Sequence, residues 1–277
     1  MSTAVAESFE RLVRLPHTDL LVGRIGLGSS FGVGPEGLEL AFDHGINYFY
    51  WGSIRRSGFA EGVRRLARRD REKVVVAVQS YARWPAALMR GSVELALRRL
   101  ALDYADVLVL GWWNQRPSQW ILDAALDLKE KGRVRHLLMS GHRRSFFPEM
   151  AEEDLFDLFM VRYNAAHRGA ESDVFPKLPA GERRPAVCAY TATRWGSLLD
   201  RKRVPAGEPV PTASHCYRFC LSHPEVDMVL SGPGSTEQVH ETVLALEKGP
   251  LDPDELAWMQ RVGDHVYGRS PVKRLAD

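Results

Sequence analysis

Tyr50, Arg55, Gln79 and Tyr81 are the side chains from which a reactive centre in this chain can be built. A phenol gives or takes a proton, a nearby guanidinium lowers its pKa and stabilises developing negative charge, and a carboxamide holds a polar substrate. Trp51, Trp112, Trp113 and Asn114 would wall such a centre with indole faces and one amide, and Arg162 adds a second permanent cation. Tyr48 and Tyr50 are two apart, as are Gln79 and Tyr81, so on extended chain each pair shares a face. Other readings stand beside these. One indole of the Trp112–Trp113 pair can pack in the core, and Arg162 can be a structural ion-pair partner. His142 reads either as a base or as a solvent-facing histidine, and His136, inside an apolar run, reads as packing.

These residues lie at the ends of short apolar runs, and the runs predict strands at 24–27, 48–51, 74–78, 105–110, 134–139, 158–162, 186–189 and 228–230. Between and after them, amphipathic patterns predict helices at 37–44, 59–69, 86–100, 119–131, 146–153, 170–175, 214–222 and 236–248. In the third helix Leu88, Val93, Leu97 and Leu100 supply apolar positions while Arg90, Glu94 and Arg98 face water. Lys131-Gly132 and Lys248-Gly249-Pro250 each put a cation in a last turn and glycine beyond it. Eight strand–helix repeats in 277 residues predict one α/β domain, a (β/α)8 TIM barrel spanning 1–277, with reactive groups at the C-terminal strand ends. The chain before Gly23 is expected to form an N-terminal hairpin closing the barrel floor, and 252–267 one extra C-terminal helix. The proline-rich stretch 204–211 is expected to be a loop over the barrel top.

The bulk properties narrow the function classes. Thirty-seven basic and 35 acidic residues leave a net charge of +2, so no global field points to nucleic acid. The arginine runs at 64–71 and 143–144 read as solvated helix faces. Cys188, Cys216 and Cys220 read as buried thiols, and no spacing supports a metal centre. No apolar run is long enough to span a bilayer, and the start lacks a leader pattern, so a cytoplasmic location without membrane contact is expected. The oligomeric state stays open.

Seven stretches, in order, carry a resemblance to the aldo-keto reductase family: GINYF (45–49), VVAVQ (75–79), YADVLVL (104–110), GRVRHLLMS (132–140), YNAAHRGAE (163–171), AYTATRWGSL (189–198) and GPGSTEQVHE (232–241). The resemblance implies the barrel fold and reduction of carbonyls by a nicotinamide hydride, with an Asp–Tyr–Lys–His tetrad. Carried over by position, the aspartate falls on Tyr50, the tyrosine on Arg55, the lysine on Gln79 and the histidine on Gly111. For the cofactor it implies Ser140 and Arg162 beside the nicotinamide, Tyr190 covering one side, Arg194 reaching a phosphate, and Ser235, Gln238 and Glu241 around the adenosine half. NADP or NAD is the implied cofactor. With the tetrad types replaced, the expectation is a rewired NAD(P)-linked oxidoreductase acting on a small carbonyl or aromatic substrate. A catalytically silent small-molecule- or nucleotide-binding barrel and a cofactor-independent lyase or isomerase are the alternatives.

Overall fold

The structure, a computed structural model, describes residues 8–53 and 55–268. The first seven residues, read above for a leader, and the tail beyond Gly268 lie outside the described residues. The chain opens with a two-stranded antiparallel hairpin, β1 (Val13–Arg14) and β2 (Leu21–Val22). There follow β3 (Ile25–Gly28), α1 (Pro35–Asp43), β4 (Tyr48–Trp51), α2 (Ser57–Asp70), β5 (Val75–Ser80) and α3 (Ala86–Leu100). Next come β6 (Ala105–Leu110), α4 (Gln119–Glu130), β7 (Val134–Ser140), α5 (Phe146–Glu152), β8 (Leu158–Arg162) and α6 (Ala170–Asp173). The chain closes with β9 (Ala186–Tyr190), α7 (Ala213–Leu221), β10 (Met228–Ser231), α8 (Thr236–Lys248) and α9 (Pro253–Gly268). Strands β3 to β10 pair in parallel and in sequence order, and β10 pairs back to β3, closing an eight-stranded barrel. The fold is therefore the (β/α)8 barrel that the alternation predicts, with the hairpin below and α9 as the extra helix.

Strand alternation splits the core in two. Tyr48 and Tyr50 belong to the cluster inside the barrel, whereas Phe49 and Trp51 belong to the one between barrel and helices. Leu15, Leu20 and Val22 of the hairpin join the inner cluster, so the hairpin plugs the floor with apolar side chains. Three aspartates tie the floor together. Asp106 accepts the Val76 N–H (2.8 Å), Asp157 that of Leu137 (2.7 Å) and Asp227 that of Val187 (2.7 Å). Each is also ion-paired, to Arg71, Lys129 and Arg184 respectively, so these buried charges are compensated. Asp106 and Asp157 thereby act as inter-strand anchors. The arginine run on α2 is spent on surface pairs such as Arg65–Glu61 and Arg69–Asp43, worth little each. All three cysteines are free and buried. The stretch 204–211 follows β9, and its carbonyls at Val204, Pro205 and Glu208 accept from Arg201.

Candidate functional site

The C-terminal ends of the strands form the barrel mouth. Ala77, Val109, Leu138, Met160 and Cys188 face the interior, and the residue two further on along each strand therefore faces inward at the mouth. Those residues are Gln79, Gly111, Ser140, Arg162 and Tyr190, joined by Tyr50 from β4. The mouth thus gathers several of the side chains that the sequence singles out.

Tyr50 is 8% exposed, and burial pushes its phenol well above the ordinary value. The neighbouring Tyr81 phenol pushes in the same direction. Tyr48 lies deeper, its hydroxyl buried without a hydrogen-bond partner among the described residues. Gln79 presents a buried Oε1 that likewise has no partner among the described residues. Its Nε2 lies 2.0 Å from where a β-carbon on Gly111 would stand, so the carboxamide fills the space a side chain at 111 would need.

The loops after β6 and β7 are fastened together. Ser140 Oγ accepts the Trp112 N–H (3.0 Å) and the Ser140 carbonyl accepts that of Trp113 (2.7 Å). Asn114 Oδ1 accepts from the backbone N–H groups of His142 (2.6 Å) and Arg143 (2.9 Å). This zip brings the Trp113 carbonyl to 2.1 Å from the β-carbon position of Gly141, where no other residue fits unchanged. Trp113 turns inward, 5% exposed, under the Arg83 guanidinium at 3.8 Å from its ring. Trp112 turns outward, 57% exposed, with its ring edge-on to Tyr81 at 5.4 Å and tilted against His142 at 6.2 Å. His142 Nδ1 lies 3.0 Å from the Tyr190 hydroxyl, which also reaches the Gly141 carbonyl at 3.3 Å. Burial, then the Arg162 charge, holds the His142 imidazole below its ordinary value. Burial pushes the Tyr190 phenol up, with Arg162 opposing.

Several expected positions fall elsewhere. Trp51 alternates away from the interior and packs in the helix layer, its Nε1 donating to the Arg56 carbonyl at 3.4 Å, so it does not wall the mouth. Arg55 is exposed just before α2, and the shift on Tyr50 is upward rather than the lowering expected from a neighbouring guanidinium. Trp113 is core, not wall, and Asn114 is a loop brace. Arg194 is buried and donates to the Val266 carbonyl at 2.8 Å, which anchors α9 rather than a phosphate. Ser235 caps α8 by accepting the Gln238 N–H (3.5 Å), and Gln238 Oε1 accepts the Gly234 N–H (2.7 Å). Glu241 is partly buried on the second turn of α8. Phe31, 60% exposed, lies against Gly232 at the entrance to that loop. Arg83 and the His142–Tyr190 contact escaped the sequence, because each joins loops at least 28 residues apart and leaves no local pattern. A surface cavity of about 1010 Å³ opens at the other end of the barrel beside His17, Asp19, Lys129 and Arg135, away from this chemistry.

A closed parallel barrel with polar side chains converging at its C-terminal mouth defines a (β/α)8 protein with a candidate small-molecule site there. No family model matches the chain. The chain is similar to L-galactose dehydrogenase of Arabidopsis thaliana, 26% identical over 94% of this chain and 95% of that protein. It is also similar to aldo-keto reductase AMT2 of Alternaria alternata, 25% identical over 86% of this chain and 74% of that protein. Among solved structures, an aldo-keto reductase from Klebsiella pneumoniae in complex with NADPH matches with a TM-score of 0.74 and 25% identity, covering 92% of this chain and 95% of that one. The holo form of aldo-keto reductase AKR11C1 from Bacillus halodurans shares the fold, with a TM-score of 0.76 at 22% identity over 91% of this chain and 96% of that one. Sequence and fold are thus similar to those of aldo-keto reductases over nearly the whole chain, and the shared architecture is the (β/α)8 barrel. Among the described residues no helix is long and apolar enough to cross a membrane.

Proposed function

We propose that the chain is a nicotinamide-dependent oxidoreductase with a non-standard active site, acting on a small hydroxyl- or carbonyl-bearing molecule held at the barrel mouth. The observation that carries this reading is Gln79 Oε1, a buried acceptor with no partner among the described residues. Leaving such an acceptor unserved costs on the order of 1–3 kcal/mol, which a ligand hydroxyl or N–H recovers on binding. The likeness to a protein named L-galactose dehydrogenase makes a sugar or polyol hydroxyl the first donor to try.

The donors present fit a dinucleotide. Ser140 uses an oxygen lone pair on Trp112 and keeps its own proton for an acceptor such as a carboxamide, and Arg162 stands on the neighbouring strand end. The first-turn N–H groups of α8, behind Gly232 and Gly234, fit phosphate oxygens. When bound, the nicotinamide supplies or accepts a hydride. The protein's own contribution is to orient the substrate through Gln79, Tyr50 and Tyr81 and to keep one side covered by Trp112. Arg55 and Arg194 have no part in this arrangement.

A calorimetric titration with NADPH, NADP⁺ and NADH tests the cofactor, followed by L-galactose oxidation with whichever form binds. Micromolar binding and turnover are expected; no binding at millimolar cofactor sinks nicotinamide chemistry. A silent binder is favoured by one observation, the upward shift of the Tyr50 phenol, which makes it a poor proton donor. That second reading predicts cofactor binding without turnover of any aldose or polyol.

A further inference from the structure

Tyr50 is the weaker candidate for moving a proton, yet the same mouth holds a better one. His142 is pinned on three sides. Its backbone N–H donates to Asn114 (2.6 Å), its ring lies between those of Trp112 and Tyr190, each 6.2 Å away, and its Nδ1 is 3.0 Å from the Tyr190 oxygen. Tyr190 comes from an inward-facing strand end, so this contact sits over the mouth beside Arg162.

We propose that His142, coupled to Tyr190, is the proton-transfer group of this site. The inference rests on the oxidoreductase reading above. The Tyr190 oxygen has two partners, the Gly141 carbonyl at 3.3 Å and His142 Nδ1 at 3.0 Å. When the phenol donates to Gly141, Nδ1–H donates to the phenol oxygen and Nε2 carries the lone pair. His142 is then a base. A substrate O–H bond breaks with its pair left on oxygen, the proton joins Nε2, and the accompanying hydride leaves to a nicotinamide dinucleotide, the oxidant class named above. In the reverse direction the imidazolium so formed returns its Nε2 proton to the carbonyl oxygen as the dinucleotide delivers its hydride, and the ring is left neutral again. The Tyr190 hydroxyl, donating to Gly141, thus holds the ring in the tautomer that is a base when neutral and an acid when charged.

The charged and titratable groups that face the ring agree with this role. Arg162 approaches from β8 and Tyr190 from β9, Arg143 is the next residue in the chain, and the loop after β6 presents neutral Trp112 and Asn114. Burial and Arg162 keep the imidazole neutral at pH 7, so the base form is the resident one. The shifted phenol of Tyr50 offers no such base.

The test has two arms. Imidazole nitrogen NMR of histidine-labelled protein, with the signal assigned by its loss in His142→Asn, reads the coupling directly. A neutral ring at pH 7 whose Nδ1 signal moves in Tyr190→Phe is expected; a ring that is charged at pH 7, or blind to Tyr190→Phe, overturns the proposal. In the second arm, L-galactose and NADP⁺ are the probes. His142→Asn should lower kcat by about 100-fold or more while KM stays within about threefold, and Tyr190→Phe should displace the acid limb of the pH profile. Full kcat in His142→Asn overturns the proposal. Absence of turnover in the unaltered protein defeats the oxidoreductase reading instead, and the NMR arm alone then decides whether the coupled pair exists.

Discussion

The carboxamide Nε2 of Gln79 stands 2.0 Å from the point where a β-carbon at residue 111 would lie, so two neighbouring strand ends share one volume. The family resemblance assigns a lysine and a histidine to these positions, and the pair found here is complementary in a different way: one side chain bends across, the other is absent. Gly111→Ala should therefore force Gln79 aside and cost about 1–3 kcal/mol, the usual range for overpacking. In a Gln79→Ala background the same change should cost clearly less, since the amide is gone and only the Tyr81 ring, 3.0 Å from that point, still presses on it. Urea denaturation of the four proteins measures the coupling. Equal costs in both backgrounds would show that the two positions are independent.

Tyr81 reaches back to the hydroxyl of Tyr50 from an exposed position past the end of β5. Tyr81→Phe leaves that buried hydroxyl without its neighbour and should cost about 1 kcal/mol of stability. Because Tyr81 also meets the ring of Trp112, the variant should loosen the indole and weaken binding of a polyol probe several-fold. Thermal unfolding and a calorimetric titration check the two effects separately. Unchanged binding would confine Tyr81 to a structural role.

What the sequence made legible follows from physical range. The barrel was readable because eight buried parallel strands are continuous apolar runs, and β4, β6 and β8 fall at 48–51, 105–110 and 158–162 as expected. Inward residues at the mouth were readable from alternation alone, which places Tyr50 and Gln79 correctly. The same rule excludes Trp51, next to Tyr50, and applying it there would have removed that residue from the site. Arg55 and Arg194 could not be placed, because loop conformation decides where a long side chain ends. The zip between Asn114 and His142 joins residues 28 apart through backbone N–H groups, which carry no side-chain signature.

On the floor, Asp157 is 7% exposed and holds three partners: the Leu137 N–H at 2.7 Å, Lys129 at 3.1 Å and His136 Nδ1 at 3.4 Å. Burial opposes its ionisation, but the His136 ring and the Leu137 N–H outweigh burial and keep the carboxyl below its ordinary value. Asp157→Ala should cost about 3 kcal/mol, because it strands a buried N–H and uncompensates the cation. The carboxylate's contribution is present above the ordinary pKa and lost as pH falls through the lower folded value. Denaturant midpoints at pH 7 and pH 3 for both proteins check it; the variant's deficit should shrink at the acid end.

His167 sets a second, higher acid limit. Burial, then the charges of Arg162, Arg194 and Arg144, push its pKa down to about 4 from the ordinary 6.5, and its Nδ1 is buried without a hydrogen-bond partner among the described residues. The unfolded chain accepts a proton near pH 6.5 that the folded chain refuses until about pH 4. Stability is therefore full above the higher value, falls as pH drops between the two, and levels off below the lower one. Allowing for partial exposure, the slope amounts to about 2 kcal/mol across that window. His167→Gln removes the titrating group while keeping an amide of similar reach beside Tyr267, whose ring meets the imidazole at 5.5 Å. Urea unfolding at pH 7 and at pH 4.5 should show the unaltered protein losing more than the variant by about this amount. An identical loss in both would mean that the arginines around His167 do not disfavour its protonation.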